Sequence, residues 1–222
     1  MDLKTRPTVE ALENALQIPF PESEKLRLDD SRRLTGPGLL WDKPGAIAEV
    51  AVYGFELNSV IEVWCAWARR LLNAVGWELE SVIARPHEDG INLAISAPID
   101  QLYSAIFVVQ ASVHYTTCEL LGEQPLPQEQ LVNDLLAVMR SEQNPALIAL
   151  QAAAGEHAVD FLSDDDEVSV GHGCGSHTWD ISRLPTPDQV PWDQLHNIPV
   201  AMITGTNGKS TCVRLALSLI HI

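Results

Sequence analysis

The chain has 222 residues, 46% hydrophobic and 20% charged, with fourteen Lys and Arg against thirty Asp and Glu and a formal net charge of −16. That length allows one large domain or two small ones, and the balance of apolar and charged residues is that of a soluble globular protein. The acidic excess argues against a broad nucleic-acid surface, which needs many cations, and against docking on anionic lipid.

No run approaches the roughly 18–20 apolar residues of a membrane span, and the N-terminus lacks the apolar core of a signal peptide. The four cysteines, at positions 65, 118, 174 and 212, form no CxxC pair. A reducing, cytoplasmic setting fits that usage.

In chain order, Thr8 is placed to cap a short helix reaching residue 16, with Glu10 and Glu13 near its start. Pro19 and Pro21 then oppose helix continuation. The stretch RLDDSRRLTGPGLLWDKPG (27–45) reads as loop, punctuated by Gly36, Pro37, Gly38, Pro44 and Gly45. Residues 46–53 read as a strand. Asn58 or Ser59 caps a helix to about residue 75, whose apolar stripe is Val60, Val63, Trp64, Trp67, Leu71 and Leu72.

Two strands follow over 77–85 and 91–96, with His87, Glu88 and Asp89 at the hairpin tip and Asp89-Gly90 favouring the turn. Asp100 caps a long helix to about residue 121. Pro127 and Pro145 each suit a first helical position, giving helices to about residues 144 and 157. The order β-α-β-β-α-α-α defines an α+β domain over residues 1–160. Cys65 and Cys118 fall among apolar helix neighbours and read as core thiols.

Composition shifts after that. From Glu156 to His196 there are nine acids and one base, Arg183. Residues 161–197 read as an acidic, Gly- and Pro-rich linker carrying short strands at either end of the turn in EVSVGHGCGSHTWDI. His172, Cys174 and His177 share that turn, but their spacing matches no standard zinc site. Asp164 to Glu167, DDDE, read as a solvated turn in preference to a hard-cation site. Arg32, Arg33 and Asp42, around TGPG, are candidates for binding an acidic substrate or docking another domain.

The apolar run IPVAMIT reads as a strand feeding the loop TGTNGKST and then a helix. Together, residues 198–216 have the form of a phosphate-binding start. Glycines at 205 and 208 let backbone N–H groups approach a phosphate, and a helix N-terminus adds free N–H groups and a favourable dipole. Lys209 is placed to reach the β- and γ-phosphates, and the Ser210 hydroxyl to ligate Mg²⁺, with Thr211 behind it. Cys212, inside the helix, reads as a packing residue. The pattern GxxxxGK[ST] is not met, because its first glycine would fall at Ile203. The plain alternative is an ordinary strand–turn–helix with Asn207-Gly208 as the turn.

The fuller string TGTNGKST resembles the central-domain ATP loop of the Mur ligase family, whose pattern TGTxGK[ST][ST] accounts for Ile203. Thr204, Gly205, Thr206, Asn207, Gly208, Lys209, Ser210 and Thr211 all match. The resemblance implies an ATP-dependent amide ligase. ATP phosphorylates a carboxylate, ADP leaves, and an amino group attacks the acyl phosphate. It assigns Lys209 as the catalytic cation, residues 205–211 as the ATP cradle and Ser210 as the metal-holding hydroxyl. The implied partners are ATP and carboxylate- and amine-bearing small molecules or peptides.

RRLTGPGLLWDKPGAIAEV is similar to the Arg-Gly-Pro-Asn-aromatic opening of cyanophycin synthetases, with Gly38 where Asn is usual. VSVGHGCGSHTW is faintly similar to the LGYG segment that opens their ATP-grasp module. Too few residues separate it from the Mur-like loop for such a module to fit.

A P-loop strand belongs in a parallel sheet, so these features imply the N-terminal part of a longer ligase. One frame of a common transposon-adapter end, CTGTCTCTTATACACATC, encodes LSLIHI, so residues 217–222 are expected to be adapter-derived. Two other readings stay open: a non-catalytic binding or scaffold domain with a vestigial loop, and another P-loop NTPase or kinase.

Overall fold

A computed structural model of the chain describes residues 7–38, 40–201 and 203–220. His221 and Ile222, the end of the expected adapter tail, lie outside the described residues.

The central sheet follows from alternation in two strands. β2 (Gly45–Val52) directs Ala46, Ala48 and Val50 to one face, and β4 (Gly90–Ser96) directs Ile91, Leu93 and Ile95 to the same face. With β1 (Leu26–Leu34) and β3 (Val82–His87) they form a four-stranded antiparallel sheet in the order β1-β2-β4-β3. The β3–β4 hairpin forms as expected, but it turns at Glu88-Asp89 with His87 opposite Gly90, and Gly90 sits in the ladder, where a Cβ would lie 2.1 Å from the Val50 carbonyl oxygen.

β1 corrects the loop reading of residues 27–34. Its inward positions are apolar only at Leu26 and Leu28. Past a register irregularity between Leu28 and Asp30, the helix-facing residues are Ser31 and Arg33. Ser31 accepts from Gln110 Nε2 at 2.8 Å, and Arg33 lies over the Tyr103 ring. Two tertiary polar contacts stand where the period-two apolar signal would be, so local pattern alone cannot show the strand.

Helices cover one face of this sheet. α1 (Val9–Glu13) is capped by Thr8, whose hydroxyl accepts from Ala11 N. α2 (Leu57–Ala74) buries Val60, Trp64, Ala68, Leu71 and Leu72, close to its predicted stripe. α3 (Leu102–Leu121) lies at the centre, against the sheet, α2 and α4 (Gln128–Glu142), and is buried on nearly every side. Trp64 is fully buried and gives its indole N–H to Ser112 Oγ at 2.8 Å. Burial of such a side chain contributes about 2–3 kcal/mol, and the hydrogen bond keeps its polar end from opposing that gain.

Asp100 does not cap α3 as expected. It accepts from Asn144 N at 2.8 Å, at the start of α5 (Pro145–Glu156). The α3 cap comes instead from Glu142, at the end of α4, which receives Tyr103 N and Ser104 N at 2.8 Å each and Ser104 Oγ at 2.6 Å. A carboxylate at a helix N-terminus meets free N–H groups and the positive end of the dipole. Burial still pushes the Glu142 carboxyl above its ordinary value, against the pull of these hydrogen bonds.

A second antiparallel sheet, β5 (Phe161–Ser163), β6 (Glu167–Val170) and β7 (His177–Asp180), confirms short strands on both sides of the glycine turn. The proline-rich stretch after it runs through three short 3-10 turns and buries Ile181, Val190 and Leu195 in the same core as Val168 and Val170. Trp192 stacks on His157 at 4.3 Å and donates to Pro187 O at 2.8 Å. Proline removes backbone freedom before folding, so these prolines here accompany packed chain.

The described residues of 198–204 form no strand, contrary to the expectation for IPVAMIT. Both sheets are antiparallel, and neither pairs with this stretch. Val200 and Ile203 stay exposed. α6 (Lys209–Ile220) follows, as expected, with none of its residues buried. The fold is thus mixed α+β, with six helices among the described residues. No helix among them is long and apolar enough to cross a membrane.

Candidate functional site

Residues 203–208 form an open loop that ends where α6 begins at Lys209. Gly208 has φ +78°, a left-handed conformation that side-chain-bearing residues rarely adopt. Space is not the constraint, since a Cβ there would meet nothing within 4 Å. The Gly208 carbonyl accepts the first helical bond, from Cys212 N at 3.0 Å. The N–H groups that open α6 therefore remain for a ligand. Lys209 folds its ammonium back onto the Gly205 carbonyl across the loop.

Every residue from Gly205 to Thr211 is exposed. The donor set suits phosphate: a left-handed glycine, a helix start, one ammonium and two hydroxyls. A divalent ion would find the Ser210 hydroxyl. Among the described residues no group of three or more His, Cys, Asp or Glu gathers as a metal site. Cys212 is exposed, which corrects its reading as a packing residue. No residue of its helix is buried.

Arg32, Arg33 and Asp42 do not converge. Neighbours on a strand point to opposite faces, so Arg32 and Arg33 part company. Arg32 is exposed and pairs with Asp30 at 2.6 Å and Glu49 at 2.5 Å. Arg33 turns toward α3 and meets Asp165 in a bidentate pair at 2.6 and 2.8 Å. Its guanidinium carbon lies 4.0 Å from the centre of the Tyr103 ring, and Tyr103 Oη donates to Asp165 at 3.1 Å. Burial and the neighbouring carboxylate push the Tyr103 phenol up to about 12, although Arg33 opposes them. Asp42 is exposed in the turn before β2.

Asp165 thus departs from the solvated-turn reading of DDDE, whereas Asp164 fits it. The Asp164 carboxylate accepts from Asp166 N and Glu167 N at 2.9 and 2.8 Å, opening β6. Sequence reasoning missed the cluster of Arg33, Tyr103 and Asp165. Arg33 and Asp165 lie 132 positions apart, and no local pattern joins them.

The glycine turn does not gather its histidines. His172 Nε2 lies 3.5 Å from Asp160 Oδ2, His177 tilts over Trp179 at 4.5 Å, and Cys174 is exposed. The turn instead receives main chain. His196 N donates to Gly175 O at 2.9 Å, and His172 N donates to His196 O at 3.2 Å. A Cβ on Gly175 would lie 2.5 Å from the His196 carbonyl oxygen, so glycine is required for that approach.

No protein-family model matches the chain, and no curated protein matches it.

Proposed function

We propose that residues 204–211 are the ATP-phosphate loop of an ATP-dependent carbon–nitrogen ligase of the Mur type, acting in the cytoplasm. The observation that carries the reading is TGTNGKST itself, held as an open loop with a left-handed Gly208 and a helix beginning at Lys209. The substrates are ATP, a carboxylate-bearing molecule and an amine-bearing molecule or peptide. The carboxylate oxygen attacks the γ-phosphorus and ADP departs. The amine then attacks the acyl carbon, and inorganic phosphate leaves as the amide forms.

Lys209 would release the Gly205 carbonyl and turn its charge to the transferring phosphoryl group, where the helix-start N–H groups also point. Ser210 would hold Mg²⁺, which supplies charge neutralisation between the β- and γ-phosphates. The parallel sheet and acidic metal ligands that such a site needs are assigned to a longer polypeptide, with residues 1–160 as its N-terminal α+β domain. The 222 residues alone are then expected to bind ATP weakly.

The test is Lys209→Ala in the ligase encoded by the full reading frame. Amide formation coupled to ADP release should fall by at least about a thousandfold, the scale of losing a key charge on a transferring phosphoryl group. Unchanged turnover would remove the assignment.

One observation favours a second reading, a binding or scaffold domain with a vestigial loop. The apolar run before the loop forms no strand among its described residues, and α6 buries nothing. A full-length protein that consumes no ATP with any carboxylate and amine pair would decide for it.

A further inference from the structure

His114, on α3, is 3% exposed and contributes to neither the phosphate loop nor the Arg33 cluster. Both its ring nitrogens are engaged by main chain, in opposite senses. Leu126 N–H donates to Nε2 at 3.1 Å, so Nε2 carries a lone pair. Nδ1 lies 2.7 Å from the Pro19 carbonyl oxygen and must therefore carry the proton. The ring joins two irregular segments to the central helix: the strap that follows α1, through Pro19, and the turn from α3 to α4, through Leu126. The Leu126 carbonyl is held too, by Tyr115 Oη at 3.2 Å. Pro19 and Leu126 also both line one cleft of about 160 Å³, together with Leu131 and Asp134 of α4.

We infer that neutral His114 is a buckle that ties both segments lining this cleft to α3, and that protonating Nε2 releases the one at Leu126. An imidazolium presents N–H at both nitrogens. Its Nδ1 bond to Pro19 survives, while Nε2–H faces the Leu126 N–H donor to donor. The half-buried Leu126 amide then loses its acceptor and meets a second N–H in its place, a loss that drives local opening. The strap stays moored and the turn of residues 122–127 moves.

The groups facing the ring do not stabilise its charge. Cys118 Sγ lies 3.7 Å from Nε2, and the Tyr115 and Phe20 rings stand edge-on at 5.3 and 6.5 Å. Glu123 acts on Cys118 and Arg70 on Tyr115. Glu13 and Asp134 line cavities beside the strap. Burial holds the imidazole below its ordinary value, and the Pro19 carbonyl pulls weakly the other way. With a lowered folded value, the closed state keeps its full contribution above the usual imidazole range. It loses that contribution as pH falls through that range toward the folded value.

The experiment is amide hydrogen exchange of the whole chain between pH 7.5 and about pH 4.5, corrected for intrinsic rates, with ring nitrogen shifts read by NMR. In the wild type, Leu126 should lose at least about tenfold of its protection as the ring titrates, with α3 and the sheet unchanged. His114→Gln, which can accept from Leu126 without titrating, should keep that protection throughout.

The inference is overturned if Leu126 stays protected after the ring has titrated, or if the ring stays neutral until the domain unfolds. It is equally overturned if the glutamine variant shows the same loss. Should that variant not fold, the wild-type shifts decide alone: a proton on Nε2 at pH 7.5 contradicts the buckle.

Discussion

Arg33 shows what a single residue adds when its partner is distant in sequence. Its side chain and that of Asp165 are each about a quarter to a third exposed, at 25% and 31%. Water therefore screens the pair in part, and it falls between the ~0–1 kcal/mol of a surface pair and the ~3–5 kcal/mol lost on breaking a buried one. Asp165→Asn should destabilise the domain by about 1–2 kcal/mol in urea unfolding at neutral pH, because the guanidinium loses its bidentate acceptor. No change in the midpoint would mean that water replaces the carboxylate fully. Lysine at position 33 is no remedy, since a point charge matches neither the fork nor the ring face.

Among the elements, the glycine-rich turn is the one whose role changes most between sequence and structure. Its glycines admit the His196 backbone. Gly175→Ala should therefore separate the 196 strap from the turn, with a cost of about 1–3 kcal/mol from forced backbone displacement. Faster exchange at the His196 amide would report it, and a variant as stable as the wild type would refute the packing argument.

The same comparison shows where local pattern suffices. α2 was legible because its apolar periodicity acts within a few positions, and the β3–β4 hairpin because its turn residues do; α3 was expected from a cap at Asp100 that it does not use. β1 was hidden because Ser31 and Arg33 fill inward positions through partners on α3 and before β6. Glu142 capping α3 and Arg33 meeting Asp165 are non-local for the same reason. The proposed phosphate loop could be read from the sequence because its residues are contiguous, while nothing local indicated that the described residues of the run before it would form no strand.

Across the whole molecule, the core and the proposed phosphate loop occupy separate parts of the chain. The core joins the main sheet, α2 to α5, the small sheet and the turns to Leu195. α6 adds no buried residue and exposes Val213, Leu215, Leu217, Leu219 and Ile220. Deleting residues 205–222 should leave the melting temperature within about 2 °C, since nothing buried is lost. Self-association, read by sedimentation at micromolar concentrations, should diminish with it, because contiguous exposed apolar surface is adhesive. A large fall in melting temperature would show that α6 packs on the domain after all.

The mooring of His196 and Asn197 also sets a leash. Asn197 Oδ1 accepts from Asp160 N at 2.9 Å, and Gly205 lies eight positions further along the chain. Fully extended, eight residues reach no more than about 29 Å. The loop therefore samples a small sphere around a fixed point on the domain, and short tethers of this kind give effective concentrations near millimolar. A molecule held on the domain inside that radius meets the loop at that concentration, however dilute it is in solution.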